Sequence, residues 1–562
     1  MLLLASAQVA RSLCMPLSRH AAWSLRRQSR QISTQFGKRT VWRVGFCASA
    51  AVATVYATIK LSAPLQFKAE VTRPKTIRLR DIGRHGPNSE SIWVYRGTKV
   101  YDITDWVSVH PGGEIILRAA GGSIDQYWAI FNIHQKQDVY DILDQYFIGD
   151  IDPQDLVNGA VPQSEVLNPF KDDPQRDLRL ITHTERPRNA ETPPEGLTSY
   201  LTPAELFYVR NHLWVPADDE STHTLEVELQ DGETKSYTVA DLKAKFPSHV
   251  ITATLQCSGN RRSHMSQNSR LANGIPWGVG AIGTAEWKGV RLRDVLADVG
   301  FPIVEVPEDA KHVHLIGSES YGASIPILKA VDPYGDVLLA YEMNGKPLPR
   351  DHGYPIRAII PGHVAARSVK WLRQISISDD ESPSQWQRKD YKCFGPNQGS
   401  DVDWDTAPSI QETPVQSVIT KCFEIPLHCK DGDQETLRAW SLNEDSICVE
   451  GYAFAGGGRA IARVDISVDG GHTWNQASLL DDKSHGNRAW AWSRWKFACP
   501  KVDVANRIVV KAVDESYNTQ PDSYPPTFNF RGNLTQSWHS VPLAAALGHR
   551  EDGQDAQATK ES

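Results

Sequence analysis

Three absences narrow what this chain of 562 residues can be. Its eight cysteines show neither a CxxC pair nor a regular spacing, which excludes a disulfide framework. The formal charge of −7 reflects no excess of cations, so nucleic acid is not an expected partner. No acidic residue precedes Glu70, so the amino-terminal segment differs in kind from the rest of the chain.

The first 70 residues have the composition of a mitochondrial presequence, because they are basic, rich in serine and almost free of acids. An alanine-rich apolar run over residues 44–59 follows, and it is shorter than the ~20 residues that span a bilayer comfortably. This two-part signal predicts import into the mitochondrial intermembrane space and trimming near residues 60–75. A retained inner-membrane anchor is the alternative. The cations of the basic part are Arg11, Arg19, Arg26, Arg27, Arg30, Lys38, Arg39 and Arg43.

The length predicts several domains, and both the composition and the hydrophobic pattern of the sequence change along the chain. Residues 152–196 are rich in proline and charge with little periodicity, which predicts a linker whose early part is mobile. Ordered structure is expected to resume at a helix with Thr202 as N-cap and Pro203 in the first position. Alternating apolar residues over 461–468, followed by a glycine turn, predict an all-β unit in the last third of the chain.

Two histidines stand in settings that suit the two faces of a haem iron. His110 leads into Pro-Gly-Gly, where proline fits the first position of a short helix over residues 114–120 and glycine allows the backbone to approach a porphyrin. His134 ends a second predicted helix, which opens at Ser123 with a capping-box pattern and carries an apolar stripe. Either histidine alone would more often be a surface residue.

Residues 101–113, YDITDWVSVHPGG, resemble the cytochrome b5 family, and the chain from about residue 75 to residue 151 fits that family. The resemblance implies a small α+β domain in which His110 and His134 bind the iron of haem b. Such a domain transfers one electron at a time.

The chemistry of the middle domain depends on Cys257. Residues 250–257 predict a strand that ends in the loop SGNRR over residues 258–262. Positive charge from Arg261 and Arg262 would favour the thiolate, which is the form that binds metals. Taken alone, a cysteine in this position is more often buried and inert.

The sequence around Cys257 resembles the eukaryotic sulfite oxidase and nitrate reductase family of molybdenum-cofactor enzymes. The resemblance extends from about residue 200 to residue 539, and it implies that Cys257 binds molybdenum beside the two sulfurs of a pterin dithiolene. The motifs are RNH at 210–212, LQCSGNRR at 255–262, YEMNG at 341–345, RDHGYP at 350–355 and VKW at 369–371.

The same resemblance implies the roles of the site residues. Arg210, Arg262 and Arg531 would line an oxyanion pocket, where forked guanidinium groups attract and orient sulfite, and Trp277 would close one wall. Tyr391 would hydrogen-bond toward the reactive oxo group. The residues implied for holding the molybdenum cofactor are Arg210, Asn211, His212, Cys257, Glu319, His352, Arg357, Ser368, Val369 and Lys370.

The order of the domains selects an activity within the family. An amino-terminal haem domain, a molybdenum domain and a β-sandwich, with no sequence left for a flavin or nicotinamide module, imply oxidation of sulfite to sulfate. Electrons would pass singly through haem to cytochrome c, with oxygen as the alternative acceptor, and a homodimer would form through the C-terminal domain. The alternatives are a nitrate-reducing homologue and a haem electron carrier with an inactive molybdenum domain.

The predicted fold class is multidomain α+β, with a cytochrome b5-like domain, a mixed α+β molybdenum-cofactor domain and an immunoglobulin-like β-sandwich. Compared with the animal pattern, the loop at Glu319 is shorter and the segment over residues 428–434 is longer. The predicted boundaries are 1–70 for the presequence, 74–151 for the haem domain, 152–196 for the linker, 197–410 for the molybdenum domain, 411–545 for the sandwich and 546–562 for a polar tail.

Overall fold

The computed structural model describes residues 75–107, 110, 113–131, 134, 137–162, 169–427, 431–481 and 486–547. The predicted presequence and residues 548–562 of the predicted tail lie outside the described residues. Among those described, none of the helices combines the length and the apolar character needed to cross a membrane.

The amino-terminal part of the described chain is a small α+β unit. Its sheet has the order β1-β4-β3-β2, with β1 parallel to β4 and the other neighbours antiparallel. Neighbouring side chains of β3 enter different apolar clusters, Val100 on one face and Tyr101 on the other. The strands are β1 (Thr76–Ile77), β2 (Trp93–Arg96), β3 (Lys99–Asp102) and β4 (Phe147–Ile151), and the helices are α1 (Leu79–Ile82), α2 (Thr104–Val107), α3 (Asp125–Ile130) and α4 (Gln137–Asp144).

The short helix predicted after His110 is present as a 3-10 helix, Gly113–Ala119. The second helix ends at Ile130, so the prediction that His134 ends it is wrong. The expected capping box is also replaced, because the Ser123 hydroxyl accepts from the amide of Asp125 and donates to its carboxylate. Local hydrogen bonding by Asp125 thus decides where this helix begins.

The segment predicted as a linker is partly folded. Residues 181–197 form β5 (Ile181–Thr184), β6 (Asn189–Glu191) and α5 (Pro194–Leu197), and β6 pairs with β7 (Val209–Arg210) of the molybdenum domain. All three residues of β6 are buried. A strand this short has no periodicity to detect, so its structure comes from pairing with β5 and β7.

The predicted helix at Thr202 is also wrong. The Thr202 hydroxyl accepts from the amide of Thr284, and only a 3-10 turn, Ala204–Leu206, follows Pro203. Thr202 is fully buried, so a tertiary contact replaces the helix cap that the sequence suggested.

The middle domain is built on two further sheets, in the orders β10-β11-β14-β15, with β16 beside β14, and β13-β12-β17-β8-β9. The apolar cluster around Leu315 and Ile375 also takes in Val290 and Leu339 of the first sheet, so it is shared by both sheets. A second cluster, around Trp277 and Trp287, lies on the other face of the first sheet. The strands are β8 (Thr224–Glu228), β9 (Thr234–Thr238), β10 (His249–Gln256), β11 (Ile282–Arg291), β12 (His312–Gly317), β13 (Gly322–Pro326), β14 (Leu338–Met343), β15 (Lys346–Pro347), β16 (Arg357–Ile359) and β17 (Leu372–Ser378), and the helices are α6 (Val239–Lys245), α7 (Arg262–Asn268), α8 (Leu292–Val299) and α9 (Ile327–Val331).

The C-terminal domain is a β-sandwich, as predicted. Two four-stranded sheets, β18-β19-β23-β22 and β21-β20-β24-β25, share one apolar core that includes Val449, Val464, Trp495 and Val510. The strands are β18 (Gln416–Ile425), β19 (Ser446–Phe454), β20 (Ile461–Ser467), β21 (Asn475–Gln476), β22 (Ser478–Leu479), β23 (Ser493–Pro500), β24 (Arg507–Asp514) and β25 (His539–Pro542), with helices α10 (Asp431–Ala439) and α11 (Leu543–Ala546). The extra segment that the sequence indicated near residues 428–434 thus leads into α10, and residues 428–430 lie outside the described residues.

Candidate active site

One cavity of the middle domain collects most of the predicted site residues. It is lined by the ends of β7 and β10 and by the loops beside β12, β16 and β17. The sequence-predicted residues on its wall are Arg210, Asn211, His212, Cys257, Glu319, His352, Arg357, Ser368, Val369, Lys370 and Tyr391. Arg262, Arg531 and Trp277 are not part of this wall.

Cys257 follows the last residue of β10 and is buried. Its amide donates to the carbonyl of Ala281 at 2.9 Å, which ties the end of β10 to the start of β11. The chain then turns through Arg261, whose φ of 65° is left-handed, and α7 begins at Arg262. The turn sends the two arginines to different partners, because Arg261 donates to the hydroxyl of Tyr524 at 2.7 Å, in the loop that leads to β25.

Arg262 shares its surroundings with the other two predicted pocket arginines. Burial lowers the pKa of Arg262 to about 10, the charge of Cys257 opposes this shift, and the positive charges of Arg531 and Arg210 add to it. Three arginines from remote parts of the sequence therefore lie close enough to Cys257 to form one electrostatic cluster. A cluster of this sign attracts small anions.

The loop that carries Trp277 is fixed from β6. The buried Glu191 carboxylate accepts from the amides of Gly278 and Gly280, the latter at 2.8 Å, and lies 2.6 Å from His183 Nε2. Trp277 itself is buried in the same apolar cluster as Cys257. The loop is therefore held by backbone hydrogen bonds to a carboxylate that sequence reasoning placed in the linker.

Tyr391 follows a π-helical turn, Trp386–Asp390, and its hydroxyl lies 3.1 Å from Nε2 of His212. Burial raises the pKa of Tyr391, although the charge of Arg210 opposes the rise. Burial lowers the pKa of His212 well below its ordinary value, and the charges of Arg210 and Lys370 lower it further. His212 is thus neutral, so its Nε2 is able to accept a hydrogen bond from the Tyr391 hydroxyl.

The cavity wall also contains a buried acid and a buried base. Burial raises the pKa of Glu319 to about 8 and lowers that of Lys370 to about 7. Lys370 is hydrogen-bonded, with Nζ donating to Asn211 Oδ1 and, at 2.9 Å, to the carbonyl of Asp351. Oε2 of Glu319, by contrast, is buried without a hydrogen-bond partner. A buried acceptor without a hydrogen bond destabilises the fold unless a ligand donates to it. A pterin ring, with its several N–H groups, offers the missing donors.

Other predicted cofactor residues shape the wall instead of offering free donors. Arg357 Nη1 donates to the carbonyl of His352 at 2.8 Å, and its Nη2 donates to the carbonyl of Ser368 at 2.9 Å. The Ser368 hydroxyl accepts from the amide of Ile360 at 3.0 Å. Arg357 thus fixes two loops of the cavity while its own charge stays buried.

Sequence reasoning missed the residues that orient this site. Asn189 contacts Arg210, Asn533 contacts Arg262, and Arg176 contacts Asp351 on the cavity wall. Nothing in the local sequence marks these residues, because Asn189 and Arg176 lie in a proline-rich stretch and Asn533 follows an Arg-Gly pair. Their partners are more than twenty residues away along the chain.

The second site lies in the amino-terminal unit. The imidazole rings of His110 and His134 have centroids 6.2 Å apart and planes only 7° from parallel. Two metal–nitrogen bonds of about 2.0 Å each, together with the distance from each nitrogen to its ring centre, account for this separation. The ring of Trp128 stacks on His134 at 5.3 Å, and burial lowers the pKa of His134, which favours the neutral form that binds iron. This geometry fits a haem iron between the two rings.

Comparisons with protein families define the class. The model of the cytochrome b5-like heme/steroid binding domain matches residues 78–152, that of the oxidoreductase molybdopterin binding domain matches residues 212–386, and that of the Mo-co oxidoreductase dimerisation domain matches residues 407–546. The chain is a molybdopterin oxidoreductase with a b5-type haem domain, and its cofactors are molybdenum-molybdopterin and haem b.

Individual relatives narrow the class. The chain is 46% identical over 473 residues to the sulfite oxidase of Gallus gallus, covering 82% of this chain and 98% of that one. It is 43% identical over 486 residues to the mitochondrial sulfite oxidase of Rattus norvegicus, covering 84% and 85%. The chain belongs to the sulfite oxidase family. Among solved structures, the sulfane dehydrogenase SoxCD from Paracoccus pantotrophus shares the fold, with a TM-score of 0.52 and 23% identity over 70% of this chain and 96% of that one.

Proposed function

We propose that the protein oxidises sulfite to sulfate at the cavity around Cys257 and passes the electrons singly through the haem domain. The observation that carries this proposal is the meeting of Cys257, Arg210 and Tyr391 on one cavity wall, with Arg262 in electrostatic contact with them. The net reaction converts sulfite and water into sulfate, two protons and two electrons. When bound, the molybdenum-pterin group supplies the oxygen transfer and accepts the two electrons.

The residues of the chain bind and orient the reactants in this proposal. Cys257 is the protein's ligand to molybdenum, because a buried thiolate beside an arginine is a soft anionic donor. Arg210, Arg262 and Arg531 attract sulfite and hold it by hydrogen bonds from charged donors, which are stronger than neutral ones. Trp277 supports the pocket from outside its wall, since it packs in the same apolar cluster as Cys257.

Tyr391 and His212 form a hydrogen-bonded pair in this site. The hydroxyl and Nε2 are 3.1 Å apart, and the low pKa of His212 keeps an acceptor available to the hydroxyl. We assign Tyr391 the role of donating a hydrogen bond to an oxygen of the substrate or of the centre, with His212 as the alternative partner of its proton when the pocket is empty.

The pterin would lie along the wall formed by Asn211, Glu319, His352, Arg357, Ser368, Val369 and Lys370, all of which border the cavity. The unpartnered Oε2 of Glu319 is the atom of this wall that best suits the N–H groups of a heterocycle, and Lys370 fixes the wall by donating to Arg210, Asn211 and Asp351. Arg357 supports this wall through its carbonyl contacts.

The haem domain would pass electrons to cytochrome c, and oxygen is the alternative acceptor. Between residues 101 and 151 its fixed cations are Arg118 and Lys136, against the acids Asp102, Asp105, Glu114, Asp125, Asp138, Asp141, Asp144 and Asp150. Arg96 Nε lies 3.9 Å from the carboxylate of Asp125, and Lys99 Nζ lies 3.9 Å from the carboxylate of Asp144. These two distant pairs weaken the negative charge without removing it. An acidic face suits a basic electron acceptor.

The protein forms a homodimer through its C-terminal domain. We place it in the mitochondrion, because the rat relative is named as a mitochondrial sulfite oxidase. The finer location that we propose is the intermembrane space. It is supported by the basic, serine-rich first 70 residues and the apolar run over residues 44–59.

The deciding experiment is rapid mixing of the purified full-length holoprotein with sulfite while the haem spectrum is recorded. We expect haem reduction at a rate that saturates with sulfite concentration. Haem that stays oxidised in a preparation with full molybdenum content would reject the function and favour a haem carrier with an inactive molybdenum domain. A parallel assay with reduced viologen and nitrate tests the nitrate-reducing alternative, for which we expect negligible turnover.

A further inference from the structure

Two of the three pocket arginines are oriented by neutral side chains. Nη1 of Arg210 donates to Oδ1 of Asn189 at 3.0 Å and to the carbonyl of Asn211 at 2.8 Å. Nη2 of Arg262 donates to Oδ1 of Asn533 at 3.2 Å. Within the part of the chain that the structure describes, neither arginine has a carboxylate within 4.0 Å.

The remaining donors of Arg262 also meet neutral acceptors. Nε donates to the carbonyl of Arg531 at 2.8 Å, and Nη1 donates to the carbonyl of Ile275 at 2.8 Å. Arg262 is nine-tenths buried, so an unpaired charge here is costly, and carbonyl dipoles solvate it without cancelling it. Arg531 is different, because its Nη2 lies 3.0 Å from the carboxylate of Asp390.

The surroundings of both asparagines require an amide. Nδ2 of Asn189 donates to the Thr184 hydroxyl at 2.8 Å and to the carbonyl of Pro187 at 3.1 Å. Nδ2 of Asn533 donates to the carbonyls of Asp390 and Lys392, both at 3.2 Å. These contacts orient each Oδ1 toward its arginine. An aspartate would place an oxygen against the same carbonyls and add a negative charge beside the guanidinium.

We propose that Asn189 and Asn533 are positioning residues that orient Arg210 and Arg262 without neutralising them, and that the pocket thereby keeps two cations that no described carboxylate pairs, for a doubly charged oxyanion. Asp390 reduces the charge of the third arginine, which limits how tightly sulfate, the product, is held. The inference rests on the proposed function, since it concerns the pocket in which sulfite would bind.

The first test replaces each amide by the isosteric acid. Asn189→Asp and Asn533→Asp should raise the KM for sulfite and the inhibition constant of sulfate by about tenfold, because one charge-assisted contact to the anion is weakened. The rise in KM should exceed any fall in kcat. Titration calorimetry of sulfate with the oxidised holoprotein provides a binding measurement that does not depend on turnover.

Two further variants separate charge from structure. Asp390→Asn should act in the opposite direction and lower the inhibition constant of sulfate, because it frees the charge of Arg531. Thr184→Val removes one partner of Asn189 Nδ2 but leaves the Pro187 carbonyl and the acceptor of Arg210, and it adds no charge, so its loss of sulfate affinity should be clearly smaller than that of Asn189→Asp. Molybdenum and haem contents are measured for every variant, and constants are compared only for loaded protein.

The outcomes are distinct. A sulfate inhibition constant that rises in the Asn→Asp variants and falls in Asp390→Asn supports the proposal. Asn189→Asp alone is sufficient for this comparison if Asn533→Asp yields too little loaded protein. Wild-type sulfate affinity in Asn189→Asp, or an equal loss in Thr184→Val, overturns it in favour of a purely structural role. A wild-type protein whose haem is not reduced by sulfite would instead reject the proposed function, while the calorimetric comparison of sulfate binding would still test the charge argument.

Discussion

Arg176 and Asp351 form a two-point ion pair, with Nε to Oδ2 and Nη2 to Oδ1 each 2.8 Å apart. Asp351 lies on the cavity wall, and its carbonyl accepts from Lys370. The polypeptide that arrives from the haem domain is therefore attached directly to the candidate cofactor site. Asp173 strengthens the attachment, since its carboxylate accepts from Arg176 and from the amide of Val215.

Arg176→Gln should destabilise the molybdenum domain by about 3 kcal/mol at pH 7, because it leaves the buried Asp351 carboxylate without its cation. Burial by itself would raise the pKa of Asp351. The hydrogen bonds and the positive charge of Arg176 outweigh burial and hold the pKa of Asp351 below its usual value. A pKa that is lowered on folding gives stability that is complete above the unfolded pKa of about 3.9 and lost as pH falls through the folded pKa.

The difference in thermal midpoint between wild type and Arg176→Gln should accordingly be constant from pH 7 to pH 5 and shrink below pH 4. Arg179→Gln is the matched control, because Arg179 is exposed and pairs only with nearby Asp177. A midpoint of Arg176→Gln equal to that of the control at pH 7 would show that the attachment carries no stability.

Cys257→Ser should abolish sulfite oxidation and leave the b-type haem spectrum intact, because a neutral hydroxyl is a poor substitute for a soft thiolate at molybdenum. Cys422→Ser, which changes a thiol of the sandwich outside the cavity, should retain turnover. Steady-state assays and visible spectra measure both effects. Turnover near the wild-type rate in Cys257→Ser would remove this residue from the list of ligands.

His134→Ala should stop cytochrome c reduction while molybdenum still reacts with sulfite and an artificial acceptor. The physical reason is that one axial ligand of the iron is lost, although the cavity around Cys257 is unchanged. His85→Ala is the control, since His85 stacks on Trp93 in the same domain. A low-spin bis-histidine spectrum in His134→Ala would contradict the haem site.

Reduction of cytochrome c should slow as ionic strength rises, because an acidic haem face steers a basic partner and salt screens this attraction. Ferricyanide, an anionic acceptor, should show the opposite trend with the same enzyme. Rates are measured between low salt and physiological salt. A cytochrome c rate that does not change with salt would indicate another physiological acceptor.

The tether between the domains should control internal electron transfer. Asp155 is held by the haem domain, through Arg78 at 2.7 and 2.9 Å and the amide of Leu79 at 2.8 Å. Leu156 and Val161 pack against an apolar cluster of the same domain, so the connecting segment begins after Val161. Deleting residues from this segment should slow transfer from molybdenum to haem in flash photolysis, without changing the reduction of molybdenum by sulfite. A glycine-serine replacement of equal length should restore the rate. Transfer that ignores the deletion would mean that the domains work in a fixed pose.

Much of the chemistry could be predicted from the sequence. His110, His134 and Cys257 stand in motifs whose residue types suit the metals that we propose for them, so local sequence is sufficient to suggest them. Alternation over residues 461–468 predicted a strand that the structure shows as Ile461–Ser467, since a half-buried strand has a period of two.

Tertiary structure decided what the local pattern could not express. Asn189 orients Arg210 from a three-residue strand in a stretch that reads as a linker, and Asn533 orients Arg262 from a remote loop. Thr202, which resembles a helix cap, instead accepts a hydrogen bond from Thr284. The residue types that bind cofactors are visible in the sequence because each metal demands its own donors. The partners that set their geometry are not visible, because a buried polar group takes whichever donor or acceptor the fold brings within about 3 Å, however distant along the chain.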